Sequence, residues 1–472
     1  MTEIKSPKPK LALSTLIFGH FLNHFYAYVL GVALVVIRQP NRLDNLNSIV
    51  IHSAKNFASN VLNSNLIFNR LPDLTDTQTG VLTTIQMLIF AIVTLGIGVL
   101  SDKWLKAKTL FVPLGIFIMA IHLFIAAYAR TFGTLVVAIV IVAIGATFYH
   151  PVAYSSIADL YEKKKGLTMA LNAGLGIAGT SIIPVIVTVF HTKFGWRNLF
   201  IVLGIICIVL SIIMYFAMEY LIKYTFTEEE IKQQNERRET MDKKARFKNW
   251  LKTEFLVLIT FAIIVCLFYS SFRSGIFRIT NNFLATIFND FYGFPIEAAG
   301  WITSTILVIG GLTAIVGGIV SDKYTTSLTM LISLGGASII FSILTFGPKN
   351  LPNWLLISLY FVFVAFLYFS AAAGTKYVAE SVPQGSRSTA ISFLFTVPNT
   401  IAAIFPWLFT MIKDKVEVDT IVGNEFWMLA FILLLAVLGT VASFILFRRD
   451  FKLGKIGRKK PKDIPIIADD TL

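Results

Sequence analysis

The sequence predicts an all-α membrane protein of 12 transmembrane helices, arranged as two six-helix bundles with both termini cytoplasmic. Three observations predict it. The 472 residues are 56% hydrophobic and only 14% charged, with a mean hydropathy of +0.73, whereas soluble domains carry about 25% charged residues. Twelve apolar stretches each reach the ~20 residues that a bilayer crossing needs. One polar break, residues 221–252, divides them six and six. A set of soluble domains is excluded, because this composition cannot furnish their polar surface.

The stretches run, in order, Leu11–Ile37, Thr79–Leu100, Thr109–Ala129, Thr131–Asp159, Gly166–Phe190, Trp196–Tyr220, Thr253–Asn289, Ala298–Val320, Ser327–Phe346, Pro352–Glu380, Ser388–Ile412 and Phe426–Phe447. Lipid offers the backbone no hydrogen-bond partner, so each must be a helix. The runs are too long and unalternating for barrel strands. The first lacks a small-residue cleavage site and is read as a retained span. The loop at 38–77 holds eight asparagines; a small cap with a short helix is expected there, without an assigned function. Residues 221–252 hold nine basic and six acidic residues and a Thr227-Glu-Glu-Glu230 pattern, so a short capped helix is expected. The chain thus divides into a first bundle (1–220), a linker (221–252), a second bundle (253–447) and a basic tail (448–472). The tail serves as an anchor to anionic lipid or as a partner-binding segment.

The net charge of +14 is mostly a topology code. Of 41 Lys and Arg, 28 fall on the side of the termini, ten on the other, and three, Arg273, Arg278 and Lys376, lie within spans. That bias places both termini inside. These cations flank spans instead of interleaving with aromatics on one face, so nucleic acid is not an expected partner. Cys207 and Cys266 both sit in apolar spans; they form no disulfide framework or metal motif and are read as small hydrophobes.

The halves repeat. A shift of 220 residues lays Gly80 on Gly300, Thr83 on Thr303, Ile89 on Ile309 and Gly98 on Gly318, then Ser101-Asp102-Lys103 on Ser321-Asp322-Lys323. Seven of 24 positions agree, four of them in the last six. Apolar helices share Ile and Gly by chance, but not Gly-x-x-Ser-Asp-Lys at the same helix exit. Parallel repeats of this kind build one large class of secondary transporters.

The exit of span 2 reads Gly98-Val-Leu-Ser-Asp102-Lys103-Trp-Leu-Lys106-Ala-Lys108. It resembles the signature loop of the major facilitator superfamily, as do Gly195-Trp196-Arg197 at span 6 and Ala379-Glu380-x-x-Pro383 with Arg387 after span 10. Together these pieces cover almost the whole chain. The resemblance implies the major facilitator fold, alternating access, and a latch between helices that involves Gly98, Asp102, Lys103, Lys106, Gly318, Asp322, Lys323 and Arg387. The second copy lacks the trailing cations, carrying Thr325 and Thr326 instead, so the latch is expected in the first half. Gly19-His20-Phe-Leu-Asn23-His24 and Phe148-Tyr149-His150-Pro151 are similar to the fosmidomycin-resistance branch. His24 and Val152 replace its two carboxylates. Span 5, from Asn172 to Pro184, loosely resembles a glycine-proline antiporter motif.

Ionisable groups inside a membrane are costly and mark functional sites. Arg273 and Arg278 sit in span 7 with Asn281 and Asn282 beyond them; His20, Asn23 and His24 share one face of span 1; His150 lies beside Tyr149 and Tyr154 in span 4. No Asp or Glu lies mid-span. In the superfamily, spans 1, 4, 7 and 10 line the central cavity, so the resemblance brings these groups together. Arg273, Arg278, His20, His24, Tyr28, Tyr149, His150 and Asn281 are the candidate substrate residues. A guanidinium binds carboxylate or phosphonate in a fork, and histidines titrate near working pH, which makes His20, His24 and His150 candidate proton carriers.

Other readings stay open. Arg273 can be balanced by Asp290, Arg278 can snorkel outward, and Lys376 is read as paired with Glu380 one turn on. His20 and His24 could start a metal site, but no third ligand has suitable spacing. Tyr26, Gln86, Asn172 and Asn399 either line the cavity or bridge helices. No phosphate loop or ATPase domain is present, so a gradient, most simply of protons, must drive the work. The expected activity is proton-coupled export of a small organic anion or amphiphilic drug by a monomer in the plasma membrane, without cofactor. Uptake of a nutrient acid is the close alternative, and a channel or sensor the distant one. Enzymatic chemistry has no nucleophile, base or metal constellation to support it.

Overall fold

The computed structural model describes residues 9–37, 74–103, 107–161, 165–223, 260–348, 351–381, 387–415 and 424–454. They are helical almost throughout, and twelve helices or helix pairs among them are long and apolar enough to cross a bilayer. In order these are Leu11–Leu34, Asp76–Ser101, Thr109–Ala127, Phe132–Ile157, Leu167–His191, Trp196–Tyr220, Phe261–Asp290, Ile296–Lys323, Thr326–Phe346, Asn353–Ser381, Thr389–Asp414 and Glu425–Lys452. The expected cap in the 38–77 loop, the helix expected at Thr227, Lys106, and the tail past Gly454 lie outside the described residues. An even number of spans puts both chain ends at one face, the terminal face; the opposite one is the far face.

Spans 4, 5, 10 and 11 are each broken in two. Span 4 is Phe132–Thr147 then His150–Leu160, and span 5 is Lys165–Ser181 then Ile183–Phe194. In the second half, Asn353–Phe369 precedes Ala373–Ser381, and Arg387–Ala402 precedes Ile404–Lys415. The breaks recur at the spacing of the sequence repeat. Pro151, Pro184 and Pro406 explain three of them: each lacks an N–H and crowds the carbonyl four residues back. Span 10 has no proline; it turns through tight bonds from Ala371 N–H to the Tyr368 carbonyl and Ala373 N–H to the Ser370 carbonyl. Broken helices place irregular backbone at membrane depth only where it is buried or lines a cavity.

Each half has its own core. One buried apolar cluster runs through spans 1–6; among the described residues its buried members from the other half are Ala372, Ala379 and Ile391. A second runs through spans 7–12 and takes in only Ile177. Between spans 5 and 6 the chain turns at Gly195, with φ of 78°, where a side chain would be strained. The next residues clip span 3: the Arg197 guanidinium donates to the Ala127 carbonyl at 2.5 Å and lies 4.3 Å from the Trp196 ring centre. That answers an orphan carbonyl at a helix end.

The halves meet through glycine. A Cβ added at Gly80 would stand 2.0 Å from Thr410 Oγ1, and one at Gly300 would stand 2.3 Å from Thr188 Oγ1. The two positions superimpose in the repeat, so spans 2 and 8 make equivalent close approaches, to spans 11 and 5. Gly174 and Gly311 bring spans 5 and 8 together backbone to backbone: a Cβ on either would lie about 3 Å from the other's carbonyl oxygen. Small residues at such contacts let helices pack where lipid supplies no hydrophobic drive.

Candidate functional site

A cavity of ≈ 150 Å³ lies between the halves. It is lined from spans 1, 4, 7 and 10, with contributions from 2, 5 and 11. His20, His24 and His150 line it from the first half, and Arg273 and Arg278 from the second. Among the described residues, no Asp or Glu lines it.

Local sequence positions each histidine. Gly176 of span 5 makes room for His20, whose ring atoms lie 2.7 Å from where a Cβ would be. His20 Nδ1 lies 2.6 Å from the Asn172 carbonyl, so Nδ1 is the protonated nitrogen that donates. The ring stacks on Tyr149 at 4.7 Å between centres. His24, one turn along span 1, meets His20 edge-on at 4.4 Å and stacks on Tyr28 at 5.6 Å. His150 begins the second piece of span 4, and its ring centre lies 5.2 Å from His20 and 5.5 Å from His24. His20 Nε2, His24 Nδ1 and His150 Nδ1 are buried without a hydrogen-bond partner. Asn23 faces span 4, donating to the Ala146 carbonyl at 3.2 Å.

The arginines differ in how they are held. Arg278 is buried, lies 4.4 Å over the Tyr28 ring and donates to Gln86 Oε1 at 3.3 Å. Gln86 in turn donates to the Ala27 carbonyl at 2.7 Å. The snorkelling option for Arg278 is therefore corrected, since its head is fixed inward by a cation–π contact and a neutral acceptor. Arg273 lies 5.7 Å from the Phe277 ring centre, and its Nε is buried without a partner. Asp290, its candidate counter-ion, instead pairs with Lys413.

Two candidates are set behind the wall. Tyr149 is buried, with its hydroxyl 2.6 Å from the Leu16 carbonyl and 2.7 Å from Asn172 Oδ1; it supports His20 from outside the cavity. Asn281 lies on the right face of span 7 but towards the far face. Its amide donates to the Tyr368 hydroxyl, and Phe277 packs on the Tyr368 ring at 5.0 Å. Neither residue lines the cavity.

At the terminal face, the second copy of the motif makes the contact. Asp322 Oδ2 accepts from Leu167 N–H at 2.9 Å, at the start of span 5, while Oδ1 pairs with Lys376 at 2.8 Å. Lys376 is buried and also donates to the Ser321 carbonyl at 2.7 Å. The expected pairing with Glu380 is corrected: the ion pair of Lys376 is with Asp322, which the packing of spans 8 and 10 brings to it. Asp102, Lys103 and Arg387 are helical and Gly98 and Gly318 are buried, but the side chains of those three charged residues lie outside the described residues. Lys323 reaches the Tyr324 ring at 5.4 Å.

At the far face is a lock absent from the sequence-based list. Lys413 of span 11 bridges Asp76 of span 2 at 3.1 Å and Asp290 of span 7. Asp414 accepts from Thr77 N–H at 2.6 Å and from its hydroxyl. Acids and a lysine at the same ends of spans 2, 7 and 11 were the available sequence signal.

Comparison with known proteins gives one family. A model of the Major Facilitator Superfamily matches residues 16–278 and 265–468. Among solved structures, the chain is similar to a mutant of the nucleoside transporter NupG, with a TM-score of 0.58 at 15% identity over 93% of this chain and 99% of that one. It is also similar to the proton:xylose symporter XylE bound to 6-bromo-6-deoxy-D-glucose, with a TM-score of 0.63 at 13% identity over 94% and 96%. At such identities the likeness shows the fold. No curated protein matches the chain by sequence.

Proposed function

The chain belongs to the major facilitator superfamily and is a transporter, and from that premise we propose that it carries a small organic anion by alternating access, coupled to protons and directed outward. The observation that carries the reading is the cavity wall: two guanidiniums and three imidazoles, with no carboxylate among the lining residues. An arginine at mid-membrane costs roughly 3 kcal/mol on insertion scales. Two of them cost about as much as the net stability of a small domain. Among the described residues no acid lines the cavity beside Arg273, so an anionic solute is the natural counter-ion, held by a fork of N–H donors in low dielectric. A cavity of this size holds roughly six heavy atoms, which favours a small carboxylate or phosphonate over a bulky drug.

The two seams alternate. With the cationic face inside the cell, Asp322 at Leu167 holds the cytoplasmic seam and Lys413 the external one. Opening either side breaks its lock while the glycine contacts act as the pivot. Protons enter through His20, His24 and His150, around which the charged and titratable groups are Arg273, Arg278, Tyr28, Tyr149 and Tyr154. A proton on this trio repels Arg278 and the other imidazoles, so solute and proton occupancy are linked. Counterflow in proteoliposomes, run over a panel of small carboxylates and phosphonates, tests the reading. Saturable trans-stimulation by one of them is expected; flux without trans-stimulation would mark a channel and overturn it.

A further inference from the structure

The three histidines have a second property that proton carriage does not use. Their ligating nitrogens all lie within 4.8 Å of one another, on buried side chains from two spans that only the fold brings together. His20 Nε2, His24 Nδ1 and His150 Nδ1 each lack a hydrogen-bond partner. A buried polar atom left unsatisfied costs about 1–3 kcal/mol, and each ring of this close trio carries one. Three protons cannot satisfy them together, because adjacent imidazolium charges repel in a dry cavity. A single cation with three open positions can.

His20 is already set for that role. Its Nδ1–H donates to the Asn172 carbonyl, which fixes the tautomer and leaves the Nε2 lone pair facing its neighbours. A backbone carbonyl on the outer ring nitrogen is the usual support of a metal-binding histidine. Zinc–imidazole bonds are about 2.0–2.1 Å, which puts nitrogens of a tetrahedral site about 3.3 Å apart. A contraction of up to roughly 1.5 Å in the nitrogen–nitrogen separations, within the reach of ring rotation about χ2, closes the trio. Three neutral imidazoles select borderline transition metals over Mg²⁺ or Ca²⁺ and leave a fourth position open.

We propose that His20, His24 and His150 form a binding site for a divalent transition metal, and that the organic anion enters the cavity as the metal's fourth ligand. The second half of this rests on the anion-carrier reading above; the metal site does not. Charge requires the pairing. A dication in a cavity that already holds Arg273 and Arg278 and no carboxylate must bring an anion with it. A carboxylate can give one oxygen to the metal and the other to an arginine N–H.

Purified full-length protein titrated with Co²⁺ tests the site. Expected are one ion per chain and visible bands of a tetrahedral nitrogen-ligated centre. His24→Gln and His150→Gln should each weaken binding at least about tenfold, and His122→Gln, in span 3 outside the cavity wall, should leave it unchanged. Absence of stoichiometric binding, or full binding in both variants, would overturn the site. Should a variant fail to fold, the wild-type spectrum still decides, because octahedral bands mark an ion held by surface groups and overturn the proposal. Counterflow of the anion from the screen then tests joint carriage: loss in EDTA and recovery with Zn²⁺ are expected. EDTA-insensitive counterflow by a Co²⁺-binding protein would overturn joint carriage alone. Binding of Co²⁺ without counterflow of any anion would overturn joint carriage together with the carrier reading and leave the metal site standing.

Discussion

Replacing Asp322 with Asn should tip the protein toward the state open at the terminal face. Asp322 holds Leu167 N–H across the seam and Lys376 within its own half. A hydrogen bond to a charged group is worth about 1.5–3 kcal/mol and a neutral one about 1. The carboxylate also sits at the N-terminus of the span 5 helix, adding roughly 0.3–1 kcal/mol. Because Asp322 is 32% exposed, solvent screening argues for the lower part of these ranges. The seam should weaken by about 1.5 kcal/mol, which is roughly tenfold in the closed-to-open ratio. Lys376 stays buried against the Ser321 carbonyl, so folding should survive. Spin labels at Tyr220→Cys and Tyr324→Cys, exposed residues of opposite halves at the terminal face, would read the seam by dipolar spectroscopy; Cys207 and Cys266 are buried. A new, longer distance population is expected. An unchanged distribution, with Asp322→Asn folded, would refute Asp322 as a latch.

Three further outcomes follow from the same geometry. His24→Gln should flatten the pH dependence of counterflow while leaving transport detectable; a wild-type pH profile would remove His24 from coupling. Gly80→Ala and Gly300→Ala should each shift the equilibrium toward the state open at the far face, since a Cβ there meets Thr410 or Thr188 within 2.3 Å; labels across that face would show it, and an unshifted distance in both would contradict the pivot. Asn281→Ala should lower thermal stability by about 1 kcal/mol through its lost bond to Tyr368 and leave the solute's KM unchanged; a raised KM with unchanged stability would put Asn281 back in the site.

What the sequence made legible was whatever local chemistry forces. Lipid obliges each apolar run to be helical, so twelve spans could be read from composition and length. The repeat was visible because Gly80 and Gly300 serve equivalent close approaches in each half and the two exits share Ser-Asp-Lys in sequence. The sign of the cavity was also legible, since an intramembrane arginine has few alternatives to facing it. Partners far apart in the chain were not. Lys376 lies close in sequence to Glu380, yet its carboxylate is Asp322, 54 residues away and adjacent only after spans 8 and 10 pack. His150 could be joined to His20 and His24 only through the family resemblance, and not as a third ligand by spacing, because their grouping depends on the break at Pro151 and on span 4 meeting span 1. Asn281 has the right helical phase, but its depth, which periodicity does not encode, carries it past the cavity to Tyr368.

Arg273 is where the account is most exposed. It is the cavity cation whose Nε has no partner among the described residues, and the anion is claimed to be that partner. Counterflow of a labelled small carboxylate or phosphonate into proteoliposomes, with wild type and Arg273→Gln in parallel and with and without a pH gradient, tests this most directly. The account predicts saturable, gradient-enhanced counterflow for wild type and none for a folded, membrane-inserted Arg273→Gln. Equal turnover by the two proteins would contradict it.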